Sequence, residues 1–527
     1  MTVLPFLIVG AASGTLSLLV RSRRGWSTGI ALLGLTWMAI VAAGIGSTAT
    51  IDIGGARLAG SDWLRLFAIL GSVVGLLLVV VDMAAVHEPD APGVIVLGLA
   101  SAVLALAAAD PGVAVIATTA GGLAGVLVAA PLGAASRAAF VGSRELRALA
   151  VAGTLAILAT AWLARPLDNL VAAPVFGVAY LAFTVAVAIR FGAIPFHLWA
   201  ARVADAAPGV ALPLLMAWGP AAFAAVALVW IDQSVAPLLV PLTTERAVLA
   251  SIGALSVLLG LVAALIQDDL EHVVGYTIVA DAGFVVLGLA VLDPAIWEPI
   301  RTWLLLFVVA RSALAAWVVA VHGGFGTRRL TELAGWARRA PALAAALVVI
   351  GAAAVGWPGL VAWDARASIA SMALPEPLAT ITLVAPLAGI VIYGRILLVG
   401  LARAGTAVRG GRSERPGWPV PRPSRPMVGL SPVERAFERA GHLGSCLVDI
   451  IWTVPAATRS NRTALASVVV LVLAGLAGTV AGGGLGVPAA ARAVPIAQPG
   501  PHASPSAATS PEGPGDSGAA APASVEP

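Results

Sequence analysis

Arg190-Phe191-Gly192-Ala193-Ile194-Pro195-Phe196-His197-Leu198-Trp199 closes an apolar run that begins near residue 170. Proline has no backbone N–H and its ring clashes with the preceding turn, so the stretch predicts a helix interrupted at Pro195. An interruption inside an apolar run frees peptide groups that hydrocarbon cannot satisfy. Arg190, five residues upstream, adds a charge to the same apolar run, which is tolerated where it faces protein or water rather than lipid. The stretch therefore predicts a broken membrane span enclosed by other spans.

The rest of the chain supplies those spans. Of 527 residues, 59% are hydrophobic and only 11% charged, and the mean hydropathy is +0.97, values that exclude an ordinary soluble globule. Apolar runs of the length a bilayer requires recur about fourteen times, from 3–20 to 464–485, which predicts an all-α polytopic membrane protein. Val3–Val20 reads as the first of these spans rather than as a cleaved leader, because a second span follows at once. Two spans are interrupted, the seventh (170–201) at Pro195 and the twelfth (341–370) around Gly356-Trp357-Pro358-Gly359. Their similar place in two successive five-helix groups predicts an inverted repeat. The expected organisation is N-terminal transmembrane helices at 1–109, a core at 110–401, an Arg/Pro-rich linker with an amphipathic helix at 402–463, a last transmembrane helix at 464–487, and a disordered Ala/Pro/Ser/Gly tail at 488–527.

All thirty-one basic residues are arginines; the chain has no lysine. Arg21, Arg23, Arg24, Arg137, Arg144, Arg147, Arg328, Arg329, Arg338, Arg339 and the 402–462 segment fall on one set of loops. The opposite set holds Arg57, Arg165, Arg246 and Arg301. This asymmetry predicts a multi-pass protein of the cell membrane with the arginine-rich loops cytoplasmic and both termini outside. The high sequence pI follows from these loops and implies no nucleic-acid partner. Cys446 is the single cysteine, so no iron–sulfur cluster, zinc site or internal disulfide can be assembled, and no glycine-rich phosphate loop follows a strand. No cofactor is expected in this chain.

Four segments resemble one family. Pro195-Phe196-His197-Leu198-Trp199 with Ala207-Pro208 is similar to a Pro-Phe-His-x-Trp … Ala-Pro pattern, and Leu270-Glu271-His272-Val273-Val274-Gly275-Tyr276-Thr277-Ile278 with Gly283-Phe284 to a "LKRLLAYSSI…GY" segment. Leu333-Ala334-Gly335-Trp336-Ala337-Arg338-Arg339-Ala340-Pro341 resembles "LAGLARRxP", and Gly356-Trp357-Pro358-Gly359-Leu360 lies where the family breaks its twelfth helix. These are patterns of the antiporter-like, proton-conducting membrane subunits of respiratory complex I, related to Mrp antiporter and membrane-bound hydrogenase subunits, with the N-type subunit the nearest branch. The resemblance implies proton movement through charged groups at mid-membrane depth. It also places the family's functional lysines at Arg190, Ala221 and Arg366, its fifth-helix glutamate at Thr119, and its eleventh-helix histidine and lysine at Arg311 and Ala315.

A buried lysine can lose its proton, whereas a guanidinium stays charged. The candidate proton path or polar axis is therefore Arg190, His197, Asp281, Arg311, Asp364 and Arg366, with the arginines read either as charged posts of that axis or as halves of structural ion pairs. Asp281 and Arg311, mid-span on consecutive helices, are expected to pair. Glu145, Asp268, Asp269, Glu271 and His272 fall near helix ends and read as solvated or capping groups; Asp82 reads equally as interfacial or paired. The resemblance implies a non-redox subunit that helps translocate protons while partner membrane subunits carry the redox chemistry, with quinone met only through the complex. Two other readings stand beside it, a structural subunit with a degraded proton path and an Mrp-like cation/proton antiporter subunit.

Overall fold

The computed structural model of the chain describes residues 1–85, 88–129, 136–162, 173–199, 209–238, 240–402 and 459–481. Met1–Leu485 forms one compact unit; residues 486–527, like the 403–458 linker and its expected amphipathic helix, lie outside the described residues. The helices are α1 (Leu4–Leu19), α2 (Arg24–Ala43), α3 (Asp62–Ala84), α4 (Ala91–Ala107), α5 (Pro111–Ala129), α6 (Ser136–Trp162), α7 (Ala173–Phe191), α8 (Gly219–Trp230), α9 (Thr243–Ile266), α10 (Leu270–Leu289), α11 (Trp297–Phe325), the single turn α12 (Trp336–Arg339), α13 (Pro341–Val355), α14 (Val361–Ala373), α15 (Leu378–Val384), α16 (Gly389–Leu401) and α17 (Arg459–Ala481). Among the described residues, eight helical stretches are long and apolar enough to cross a membrane and six shorter apolar helices accompany them. The protein is a polytopic helical membrane protein.

Among the described residues one hairpin interrupts the helices. Between α2 and α3, β1 (Thr50–Ile53) and β2 (Ala56–Ala59) form an antiparallel hairpin whose Gly54 and Gly55 both take positive φ, the conformation a two-residue hairpin turn needs. Ala109 donates to the Arg57 carbonyl, tying the hairpin to the α4–α5 connection. At the other end of the same helices, Arg21 meets Asp90 at 3.0 Å, joining the α1–α2 and α3–α4 connections.

Burial sorts the helices. α11 is buried through most of its length and α10 nearly so, because both are apolar all round. α9 is one-sided, with Val248, Leu255, Leu259, Val262 and Ile266 exposed at helical spacing, a face suited to lipid. Its other face meets α10 through glycine. A Cβ at Gly253 would lie 2.8 Å from the Gly283 carbonyl, and one at Gly260 would lie 2.9 Å from the Ala280 nitrogen. Small residues let the two backbones touch, as membrane helix pairs require, and this seam brackets Asp281.

The connection before α10 and the stretch beyond α11 are stitched together. Arg328, just beyond α11, donates through Nε to Asp269 at 2.8 Å and through Nη1 to Glu271. Asp268 accepts from the Thr331 N–H and hydroxyl at 3.1 and 2.9 Å. Asp269 also caps α10 by accepting from the Glu271 N–H. The capping role expected of Asp269 is present, but Glu271 is buried and ion-paired rather than solvated. Asp82 is buried and accepts from the Glu88 N–H at 3.1 Å.

Both expected interruptions are present, with different forms. α7 ends outright at Phe191, ten residues before the expected end of the span; Gly192 takes φ 64° and a 3-10 turn at Phe196–Leu198 follows. The twelfth span divides into α13 and α14, with Gly356 at φ 59° terminating α13 in the left-handed C-cap that glycine adopts without a Cβ penalty.

Candidate functional site

The first polar cluster gathers on α10, α11, α14 and α16. Asp281 stands about 17 Å along the roughly 30 Å of α10, at mid-depth. Its Oδ2 accepts from Arg311 Nε at 2.6 Å, and both side chains are buried. Arg311 Nη1 donates to the Tyr393 hydroxyl at 2.8 Å. The Trp303 indole donates to the Asp281 carbonyl at 3.1 Å.

Arg366 completes this cluster from α14 and is wholly buried. Its Nη2 donates to the Val355 and Gly356 carbonyls, the latter at 3.0 Å, and its Nε to Ala362 O at 3.2 Å. The Val355 and Gly356 carbonyls are those freed where α13 ends, so the arginine caps a helix terminus in the membrane interior, where its charge also suits the dipole. The planar guanidinium holds the α13 carbonyls through Nη2 and the Ala362 carbonyl through Nε, a fixed arrangement of separate donors that a lysine ammonium lacks. The guanidinium lies over Phe284 and Trp303, 5.7 and 5.1 Å from their ring centroids. Nη1 is buried without a hydrogen-bond partner among the described residues. Two guanidiniums thus share the cluster with one carboxylate.

A second cluster surrounds Arg190, near the end of α7. Its Nη2 donates to the Thr118 carbonyl of α5 at 3.1 Å, and the guanidinium stands 6.0 Å from the Phe223 ring centroid. It rests on Gly122, where any Cβ would occupy the space of the guanidinium. Glu145 of α6 is buried and lines the same cavity, together with Ser101, Thr118 and Arg190. That cavity measures about 30 Å³, room for one or two waters among polar partners. Glu145 is therefore not the solvated helix-end residue its neighbours Arg144 and Arg147 suggested. α6 begins nine residues earlier, at Ser136, and carries Glu145 inward.

Between the clusters the contacts are aromatic. The Trp218 indole donates to Ser312 Oγ at 2.9 Å, next in sequence to Arg311, and Phe191 meets Phe307 at 5.8 Å between centroids. Ala221, where the resemblance places a lysine, is fully buried. Of the remaining sequence candidates, His197 sits in the 3-10 turn after Pro195 and is half-buried, with Nδ1 making no hydrogen bond among the described residues. Asp364 does not join the buried cluster. It precedes Arg366 by two positions, about 200° around a helix, and is exposed on the outer face of α14. Sequence reasoning missed Glu145 and Tyr393; nothing local to either residue signals its partner, which comes from another helix.

Residues 146–390 match the transmembrane family model described as NADH:quinone oxidoreductase/Mrp antiporter. That match spans 245 of the chain's 527 residues. The antiporter-like core so defined contains both helix breaks and every arginine of the two clusters. Across 213 residues the chain is 25% identical to NADH-quinone oxidoreductase subunit N 1 of Chloroherpeton thalassium, covering 40% of this chain and 45% of that protein. The chain thus spans less than half the length of this curated relative. The fold is similar to a chain of the archaeal membrane-bound sulfane sulfur reductase, with TM-score 0.66 and 15% identity over 90% of this chain and 99% of that one. It is also similar to a chain of respiratory complex I from Thermus thermophilus, with TM-score 0.61 and 17% identity over 90% and 97%.

Proposed function

We propose that this chain is a membrane-arm subunit of a complex I-like NADH:quinone oxidoreductase, in which it contributes to proton translocation while partner subunits reduce quinone. The observation that carries this reading is the Asp281–Arg311–Arg366 cluster, buried at mid-depth beside a broken helix inside the antiporter-like core. Charge at that depth is costly and is kept where it serves a polar path or a partner. In this reading Glu145, Asp281 and His197 line the path, with Arg190, Arg311 and Arg366 as permanent charges that hold carboxylates and water. The chain itself carries no redox group in this scheme.

The test is capture from native membranes in mild detergent. Other membrane subunits and redox-active subunits should co-purify, and deleting the chain should abolish donor-driven quinone reduction or its coupling to proton transport. Recovery of the chain alone, with donor-driven proton transport intact in its absence, sinks the assignment. The structural-subunit reading draws support from one feature, the aromatic joint around Trp218 and Ala221, where the described contacts between the clusters are apolar or made by Ser312.

The arginine asymmetry of the loops supports a topology in which the 402–462 segment is cytoplasmic and both termini lie on the opposite face. Cysteines introduced at Ser413 and Ser510 should label from opposite faces of sealed vesicles; labelling from the same face refutes it.

A further inference from the structure

The segment that breaks the twelfth span is exposed where lipid would lie. Trp357 is 58% exposed, Pro358 and Gly359 are exposed beside it, and Asp364 follows on the same outward side. Depth is set by contact: the Gly356 carbonyl accepts from Arg366, whose guanidinium packs on Phe284 and Trp303, and Trp303 bonds the backbone of Asp281. The break and Asp364, one half-turn before Arg366, therefore lie near the middle of the membrane. Among the described residues the Pro358–Gly359 peptide makes no backbone hydrogen bond, and the Asp364 carboxylate has no partner.

Irregular backbone at this depth occurs where protein or a watery cavity covers it, not against lipid tails. A carboxylate facing hydrocarbon is equally costly, and such groups pair with an opposite charge. Two independent observations, an unsatisfied peptide and a lone anion, thus fall on one small face at one depth.

We propose that this face is the docking surface for an adjoining membrane subunit, one that lays a transmembrane helix over Trp357–Gly359 and offers an arginine or lysine to Asp364. A cation is demanded because the face presents a full negative charge, and Arg366, two positions along α14, is buried and committed to the α13 carbonyls. A second copy of this chain is a poor occupant, since an isologous contact centred here would bring two Asp364 carboxylates together. The inference rests on the reading above that the chain sits among other membrane subunits.

The experiment places a photo-crosslinking benzoylphenylalanine at Trp357 in the full chain, expressed in its native membrane. The expected result is an adduct with a different membrane subunit, mapped to a transmembrane helix that carries a basic residue at mid-depth. In parallel, Asp364→Lys should lower recovery of that subunit at least about tenfold, as like charges at a buried contact do, while Asp364→Glu keeps it. Adducts confined to lipid, to this chain's own linker or to a second copy overturn the proposal. So does unchanged recovery with Asp364→Lys. If membrane subunits co-purify but position 357 labels only lipid, the docking face is wrong and the assignment to a complex stands. If nothing co-purifies with the unaltered chain, both fall.

Discussion

Asp281→Asn is expected to remove most of this chain from the membrane fraction. The substitution leaves Arg311 and Arg366 in the interior with no carboxylate near them among the described residues. Breaking a buried pair by removing one partner costs about 3–5 kcal/mol, a large share of a protein's net stability. Removing the cation as well relieves much of that loss. The Asp281→Asn/Arg311→Gln double variant should therefore be recovered at a higher level than Asp281→Asn alone, with a coupling energy of about 1–3 kcal/mol. Arg366 keeps its own acceptors at the end of α13, so it does not need Asp281 to stay folded. Detergent melting of the four members of the cycle measures the coupling. Simple additivity would show that the 2.6 Å contact contributes no specific energy.

The second large effect is functional and centres on Glu145. Its carboxyl shares a small cavity with Arg190 and can gain or lose a proton, which the guanidinium cannot. Glutamine keeps the shape and hydrogen-bonding capacity of glutamate but does not titrate. Glu145→Gln should leave the complex assembled and lower its proton translocation by at least about tenfold, the lower end of what one positioned acid–base group supplies being larger still. Reconstituted vesicles carrying a pH-sensitive dye measure this alongside quinone reduction. Unchanged pumping in an intact complex refutes a path through this cavity and favours the structural-subunit reading. Arg190→Lys in the same assay should be tolerated, since the charge beside Glu145 is retained.

Several of these residues were readable in the sequence, and the misses have physical causes. The membrane spans and both interruptions follow from apolar run length and from Pro195 and Pro358, since proline breaks helices in any surroundings. Asp281 and Arg311 were recognisable as partners because each is the charge at the middle of its apolar span, and lipid punishes an unpaired charge there. Glu145 was hidden by the opposite circumstance. It sits between Arg144 and Arg147, where a linear reading sees a helix end, whereas the start of α6 at Ser136 draws that stretch inside. Asp364 shows a different limit: its depth follows from the sequence, but which side of α14 it occupies depends on where the helix resumes after Gly356. The β1–β2 hairpin has its sequence signal in Gly54-Gly55 and the alternation around it, a short signal inside a strongly helical chain.

The stitch made by Arg328 carries a mechanical consequence. It fastens the start of α10 to the stretch just beyond α11, about 18 Å along α10 from Asp281. The two helices are thus pinned at one end and bolted at mid-length by the Asp281–Arg311 contact, while toward their far ends they meet through apolar packing, Phe284 on Trp303 and Gly288 against Ile300. Helices held at two points cannot slide past one another without breaking a fastening. They can still swing together as one lever about the pinned end. A push delivered at the Asp268–Thr331 loops would therefore arrive at mid-membrane as a shared tilt, carrying carboxylate and guanidinium together relative to Arg366 on the neighbouring half-helix.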